Sequence, residues 1–177
     1  MKRYILLAVP FLLASCSSLK VSYDYDKQGD FSKYKTYAYS EDAQKLPVGD
    51  LNRTRVLNAV DTEMAKKGFT KSENPDVLID IHVKAEKRTE ATATTTGPGG
   101  YGYYGRYRYG GGFSTTQVNY NEYIDGTLFI NLVDMTTEKI VWQGRATKTI
   151  DEDANADKRE KNINYAVQQI FLKYPPK

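Results

Sequence analysis

Few side chains of this chain could carry out nucleophilic or acid-base chemistry, because its 177 residues include one cysteine, Cys16, and one histidine, His82. A Ser-His-Asp or Cys-His centre needs a histidine held beside the nucleophile. His82 falls on the polar side of an alternating segment, where we expect it to face solvent. One histidine and one cysteine also cannot form the clustered ligands of a zinc site. We therefore expect no catalytic residues, no bound metal and no cofactor.

Carboxylates are the other possible source of metal ligands or acid-base groups. Asp24 and Asp26 lie two residues apart and residues 151–153 are acidic, but neither set has the spacing of a calcium loop. The Gly-rich tract lacks the Gly-Lys-Ser/Thr of a phosphate loop and does not lead from a strand into a helix. Two carboxylates placed as in glycosidases cannot be recognised without a motif, so a cryptic hydrolase stays open as an alternative.

Residues 1–15 have the pattern of a signal peptide. Lys2 and Arg3 precede an apolar run over residues 4–15 that contains Pro10 and ends in small residues. Crossing the hydrocarbon of a bilayer takes about 20 apolar residues, so this run is too short to be a permanent membrane helix. We expect it to be removed after export.

Cys16 directly follows this run. The residues Leu13-Ala14-Ser15-Cys16 resemble the bacterial lipobox, and the resemblance implies cleavage before Cys16, a diacylglycerol on its sulfur and an acyl chain on the new amino group. Several acyl chains anchor a protein stably, since each buried methylene contributes about 0.8 kcal/mol. The alternative is cleavage elsewhere, with Cys16 incidental. Lipidation also explains why an exported chain keeps one unpaired cysteine.

Residues 16–20 then form a brief tether between the lipid and the fold. The tether has no acidic cluster, unlike the lipoproteins that some Bacteroidetes display on their outer surface. We therefore expect a protein anchored to the outer membrane and facing the periplasm.

Charge and length limit the classes of protein further. The formal net charge of +3 counts Lys2 and Arg3, and their loss with the signal peptide leaves +1. A nearly neutral chain lacks the basic footprint of nucleic-acid binding, so we expect no nucleic-acid partner. Residues 21–177 suffice for one domain with its own core.

Periodicity predicts the elements of this domain. Apolar residues alternate in strands at residues 21–25, 77–83, 127–134 and 140–146, the last two joined as a hairpin, and residues 36–39 form a second short strand or continue the first. Residues 51–67 and 157–173 have helical stripes, with Asp50 as the N-cap and Gly68 as a left-handed stop of the first helix. The predicted order β-α-β-β-β-α indicates an α+β fold, a two-layer sandwich with two helices on one face of a mostly antiparallel sheet.

Residues 89–116 break this pattern. A Thr-rich flank leads into a tract rich in glycine and tyrosine, and we interpret the segment as a flexible insertion, with the flanks extending a long hairpin whose tip is the Gly/Tyr loop. The tip is either a mobile connector, a self-associating segment or a recognition loop. In the third case its aromatic and basic side chains would bind sugar rings or a protein: Tyr101, Tyr103, Tyr104, Arg106, Tyr107, Arg108 and Tyr109.

Four segments carry a resemblance to a known family. They are Tyr23-Asp24-Tyr25-Asp26, residues 30–39, residues 75–81 and Ile140-Val141-Trp142-Gln143-Gly144. With the lipobox they make the chain similar to the domain-of-unknown-function 4136 family of bacterial lipoproteins over nearly all of the mature chain. Members often have a Gly/Tyr-rich insertion in the middle. The resemblance implies a fold and an envelope location, without a reaction or catalytic residues.

These observations together predict an envelope lipoprotein that acts as a non-enzymatic binding or structural module. Its expected partners are the membrane, through the N-terminal lipid, and an envelope protein or a glycan. The alternative is a lipoprotein that binds peptidoglycan or lipopolysaccharide through the Tyr/Gly-rich loop. The oligomeric state stays open.

Overall fold

The computed structural model describes residues 19–96 and 115–176, which form a mixed α+β fold. In this part of the chain a sheet of six strands is joined by three α-helices and one 3-10 turn, Phe31–Lys33. The strands are β1 (Lys20–Tyr25), β2 (Thr36–Tyr39), β3 (Thr70–Lys71), β4 (Val77–Thr96), β5 (Thr115–Asp134) and β6 (Lys139–Thr149). The helices are α1 (Glu41–Gln44), α2 (Asp50–Lys66) and α3 (Ala156–Phe171).

The strands lie in the order β1-β6-β5-β4-β2-β3. The first four are antiparallel to one another, whereas β2 is parallel to both β4 and β3. Leu132 is paired with Ile79 on one side and with Trp142 on the other, so these three side chains point to the same face of the sheet. This face is apolar because the alternation in β4, β5 and β6 is in register as far as an irregularity between Leu132 and Val133.

The hydrophobic core combines apolar side chains of the sheet with side chains of the two long helices. Ile79 and Leu132 are fully buried, and the ring of Trp142 stacks on Phe171 of α3 with centroids 5.8 Å apart. Helix α2 contributes Val60 and Met64, which are also fully buried. Burial of these large apolar side chains supplies the main stabilisation of the fold.

The structure contains more elements than the predicted order. The prediction did not include β3, α1 and the 3-10 turn, which the structure contains. β2 is a separate strand and does not continue β1. The N-cap of α2 is Gly49, with φ +73° and no side-chain capping bond, so the assignment of Asp50 as N-cap is wrong. The left-handed stop at Gly68 is confirmed by its φ of +81°. Asn155 caps α3 through its side chain, which accepts a hydrogen bond from Lys158 N.

The Thr-rich flank of the Gly/Tyr tract is strand rather than irregular loop. Ala93 is paired with Val118 and Thr96 with Thr115, as the long-hairpin interpretation predicts. Residues 89–96 and 115–116, at the two ends of the predicted insertion, are therefore paired in strands. No helix in residues 19–96 and 115–176 combines the length and hydrophobicity needed to cross a membrane.

Candidate functional site

The predicted site residues lie outside the described ranges. Cys16 precedes Leu19, and the seven residues of the candidate recognition loop fall between Thr96 and Thr115: Tyr101, Tyr103, Tyr104, Arg106, Tyr107, Arg108 and Tyr109. The structure does describe the segments that flank them, namely the start of β1 and the outer halves of β4 and β5.

The outer halves of β4 and β5 form a two-stranded ribbon, residues 88–96 and 115–123. Their nine cross-strand pairs run from Arg88–Tyr123 to Thr96–Thr115. At about 3.4 Å per residue the ribbon extends nearly 30 Å. Every side chain in it is exposed, and the neighbouring strands β2 and β6 stop before it begins. The ribbon is therefore without a covering layer in the described part of the chain.

The two faces of the ribbon differ in chemistry. One face is apolar at its centre, where it carries Ala91 opposite Tyr120 and Ala93 opposite Val118, with Tyr120 71% and Val118 45% exposed. The polar pairs Thr89–Glu122 and Thr95–Thr116 border this apolar patch. The other face carries polar pairs, such as Thr92 with Asn119. The apolar face continues the side of the sheet on which the core lies, because side chains alternate strictly along a strand. Exposed aromatic and aliphatic side chains on a narrow support are typical of contact surfaces.

Arg88 fastens the base of the ribbon. Its Nε donates a hydrogen bond of 2.8 Å to Asp125 Oδ2, its guanidinium lies 5.4 Å from the centre of the Tyr123 ring, and it contacts Glu90. Asp125 also accepts a bond of 2.7 Å from Thr149. Hydrogen bonds from Thr149 and Arg88 hold the pKa of Asp125 below its ordinary value. These contacts connect the ribbon to β6.

Asp61 on α2 forms a second polar cluster, beside a groove of about 620 Å³. It accepts hydrogen bonds from Tyr37 at 2.8 Å, Tyr39 at 2.7 Å and Lys71 at 2.7 Å. Burial would raise the pKa of Asp61, but the bonds from Lys71, Tyr39 and Tyr37 outweigh burial and lower it. Burial and the same bonds raise the pKa of both tyrosines. These hydrogen bonds join α2 to β2 and β3. The polar groups of the cluster are therefore bonded to one another.

Asp80 lies at the centre of a third cluster, which includes the only histidine. Ser40 Oγ donates to Asp80 Oδ1 at 2.9 Å, and His82 Nε2 lies 2.5 Å from Asp80 Oδ2. A nucleophile-base pair needs the histidine between serine and aspartate, whereas here the aspartate lies between the other two. His82 is exposed, as its position on the polar side of the strand predicts. This geometry does not activate Ser40.

A polar row extends from Asp80 across two further strands. Asn131 Nδ2 lies 3.4 Å from Asp80, and Gln143 Nε2 donates to Asn131 Oδ1 at 2.8 Å. Sequence reasoning missed this row, although polar residues inside the apolar strands β4 and β5 were a visible signal. Within residues 19–96 and 115–176, no group of three or more His, Cys, Asp or Glu side chains could hold a metal ion.

Comparison with solved structures gives matches that concern the fold. A PDZ domain protein from Parabacteroides distasonis matches with a TM-score of 0.54 and 20% identity, over 90% of this chain and 36% of that protein. This chain therefore spans about a third of that protein's length. PelC from Paraburkholderia phytofirmans, a dodecamer, matches with a TM-score of 0.43 and 10% identity, over 86% of this chain and 94% of that one.

Comparison with curated proteins gives no match. A sequence model of the family described as "Domain of unknown function (DUF4136)" matches residues 21–176. That range covers the helices, all strand residues except Lys20 and the segment between β4 and β5, and the chain therefore belongs to the DUF4136 family.

Proposed function

We propose that this protein is a bacterial envelope lipoprotein, held by lipid on Cys16 at the periplasmic side of the outer membrane, and that it is a non-enzymatic binding or structural module. The ribbon of residues 88–96 and 115–123 is the observation that carries the binding role, because all of its side chains are exposed. An isolated two-stranded ribbon gains little stability from its own packing. A partner that covers its apolar face would supply the burial that the ribbon lacks.

The body behind the ribbon is, in this proposal, a two-layer sandwich. The contact of Phe171 with Trp142 and the bonds from Tyr37 and Tyr39 to Asp61 support α3 and α2 lying on the same face of the sheet. The opposite face then carries the row from Asp80 to Gln143. Such a body acts as a rigid support, and the binding residues extend from it on the ribbon.

The lipid anchor is tested by Cys16→Ala, with Ser17→Ala as the matched control. We expect the first variant in the soluble periplasmic fraction and the second in the membrane fraction with the wild type. Mass spectrometry of the wild-type N-terminus should show a diacylated and N-acylated Cys16. Membrane association of Cys16→Ala, or an unmodified mature terminus, would contradict the anchor.

The contact face of the ribbon is tested by placing a photoreactive amino acid at residue 120 or at residue 119, which point to opposite faces. Irradiation of intact cells should give a defined cross-linked envelope protein from residue 120 and much less of it from residue 119. Equal yields from both positions, or none from either, would contradict binding through the apolar face.

The second candidate function is binding of peptidoglycan or lipopolysaccharide by the tyrosines and arginines of residues 97–113. It is favoured by the pairing of Thr95 with Thr116, whose hydroxyls lie 3.2 Å apart at the far end of the ribbon, because this places both ends of the segment away from the body. Aromatic rings stack on sugar rings, and arginine binds phosphate. Deletion of residues 97–113 should abolish retention on both glycans; equal retention of both forms would remove this candidate.

A further inference from the structure

Another groove, of about 520 Å³, is lined by residues of β4, β5, β6, α2 and α3. Its wall is mainly aliphatic and includes Leu19, Val56, Val83, Leu128, Ile150 and Ile163. The volume falls within the roughly 300–1,000 Å³ of small-molecule sites. Lys148, Asp151, Glu152 and Arg159 also line the groove, but aliphatic residues are the majority of its wall, so its chemistry suits an apolar ligand.

The groove exists because three small residues from different elements face it. Gly126 of β5, Ala146 of β6 and Ala166 of α3 all line it. A Cβ atom on Gly126 would come within 2.9 Å of Ile150 Cδ1, so even a methyl group there would narrow the space. Larger side chains at these positions would fill the volume, which makes the opening a direct consequence of residue size.

The two basic side chains that line the groove have partners within the chain. Lys148 Nζ donates to Asn162 Oδ1 at 2.9 Å. Arg159 donates to the backbone oxygens of Ala154 at 2.8 Å and Glu152 at 2.9 Å. These bonds leave the apolar wall as the main surface on which a ligand would gain free energy. A long hydrocarbon chain fits that pattern better than a sugar or a nucleotide.

The position of Leu19 identifies the source of such a chain. Leu19 lines the groove, and Cys16 precedes it by three residues. Three residues span at most about 10 Å. A lipid on Cys16 would therefore begin within about 10 Å of the groove wall, close enough for one acyl chain to enter while the others stay in the bilayer.

We propose that this groove holds one acyl chain of the lipid on Cys16 of the same molecule, an inference that rests on the proposed lipidation. Transfer of methylene groups from bilayer to groove exchanges one apolar environment for another, so the chain can move between them at little cost. The groove would shield that chain from water whenever the protein is away from a membrane.

The test uses cells fed a fatty acid that carries a diazirine at its terminal carbon. The purified full-length protein is irradiated in detergent, and cross-linked peptides are mapped by mass spectrometry. We expect the acyl chain attached to Cys16 to cross-link to peptides that contain Val83 or Ile163. This mapping on the wild type decides the question without any substitution.

A matched pair of variants adds a quantitative readout. Ala166→Phe fills the groove and should lower the intramolecular cross-link at least tenfold. Asn164→Phe adds the same ring on the exposed side of α3 and should leave the cross-link unchanged. Circular dichroism checks that both variants fold. If Ala166→Phe does not fold, the cross-link map of the wild type still tests the proposal.

The outcomes separate this inference from the proposed function. A labelled Cys16 whose acyl chain cross-links only to detergent or lipid would overturn the groove assignment and leave the lipoprotein intact. Cross-links from a free fatty acid, or from the lipid of a second copy in an isotope-mixed sample, would also overturn it. An unlabelled Cys16 would overturn the anchor and this inference together.

Discussion

The hydroxyl of Tyr34 donates a hydrogen bond of 2.7 Å to the carboxylate of Asp134, one hundred residues later in the chain. Asp134 also accepts bonds from Lys33 Nζ at 2.8 Å and from the backbone of Thr136 and Thr137 at 2.7 and 2.9 Å. The bonds from Lys33 and Tyr34 hold its pKa well below its ordinary value. Burial and the bond to Asp134 raise the pKa of Tyr34 to about 12. One carboxylate therefore joins the 3-10 turn to the end of β5.

Asp134→Ala should lower the free energy of unfolding by about 3 kcal/mol. The substitution leaves the buried hydroxyl of Tyr34 without its acceptor, and unsatisfied buried groups cost roughly 1–3 kcal/mol each. Loss of the bonds to two backbone amides adds to this. Urea unfolding followed by circular dichroism measures the difference. Asp153→Ala, at an exposed position, is the control and should change stability by less than about 0.5 kcal/mol.

Stability should fall in acid, and Asp134 should account for much of the fall. The pKa of Asp134 is lowered in the folded state, whereas an unfolded aspartate titrates near 3.9. The unfolded chain therefore binds more protons as pH drops through about 4, and the free energy of unfolding decreases from about pH 5 downward. Asp61 and Asp76 have lowered pKa values and act in the same direction.

Urea midpoints measured between about pH 7 and pH 3 test the expected loss of stability in acid. Asp134→Ala should show a shallower pH dependence than the wild type, since the variant lacks the strongest of these groups. Parallel curves for the two proteins would mean that other carboxylates dominate this loss of stability.

Gly144→Ala should destabilise the core more than Gly126→Ala. A Cβ on Gly144 would overlap the Cγ2 methyl of Ile170 and the ring of Trp142, both fully buried, whereas a Cβ on Gly126 would meet the end of the partly exposed Ile150 side chain. Overpacking a core costs about 1–3 kcal/mol, so we expect that range for Gly144 and less for Gly126. Thermal unfolding of both variants decides the order, and equal losses would contradict the close packing of α3 on β6.

Amide hydrogen exchange should divide β4 and β5 into two parts. Residues 77–83 and 128–134 lie in the core sheet and should exchange slowly, whereas the ribbon of residues 88–96 and 115–123 should exchange at least about a hundredfold faster, because exposed strands open without global unfolding. Arg88→Ala should speed exchange in the ribbon alone. Slow exchange of the isolated protein's ribbon would show that it is covered, as in a self-associated state.

Segments that carry the family resemblance contact one another only in the folded chain. Asp76 accepts hydrogen bonds of 2.8 Å from the backbone amides of both Lys35 and Thr36. The Pro75-Asp76 segment thereby holds the start of β2 beside β4, and Asp134 holds the turn just before it. Two carboxylates far apart in the sequence, Asp76 and Asp134, thus hold the same part of the chain, residues 33–36. No spacing along the chain could show this relation.

Prediction from the sequence worked where an element is long enough to repeat its period. Val77, Ile79 and Ile81 alternate over a strand, and α3 repeats its apolar stripe over four turns, so both were recognised. β3 has two residues and α1 has four. Neither is long enough for a periodic pattern, and each depends on contacts with residues far away in the sequence. β3 pairs with β2, and Ser40, the N-cap of α1, donates a hydrogen bond to Asp80.

By itself the sequence determined what local chemistry decides: the Leu13-Ala14-Ser15-Cys16 motif, the alternating strands and the stop at Gly68. Tertiary structure alone decided which distant groups meet. Gly126, Ala146 and Ala166 are unremarkable along the chain, yet together they open a groove beside Leu19. Asp134 becomes a junction because chain folding brings Tyr34 to it. Local motifs depend on neighbours in sequence, whereas cavities and buried hydrogen bonds depend on which elements pack together.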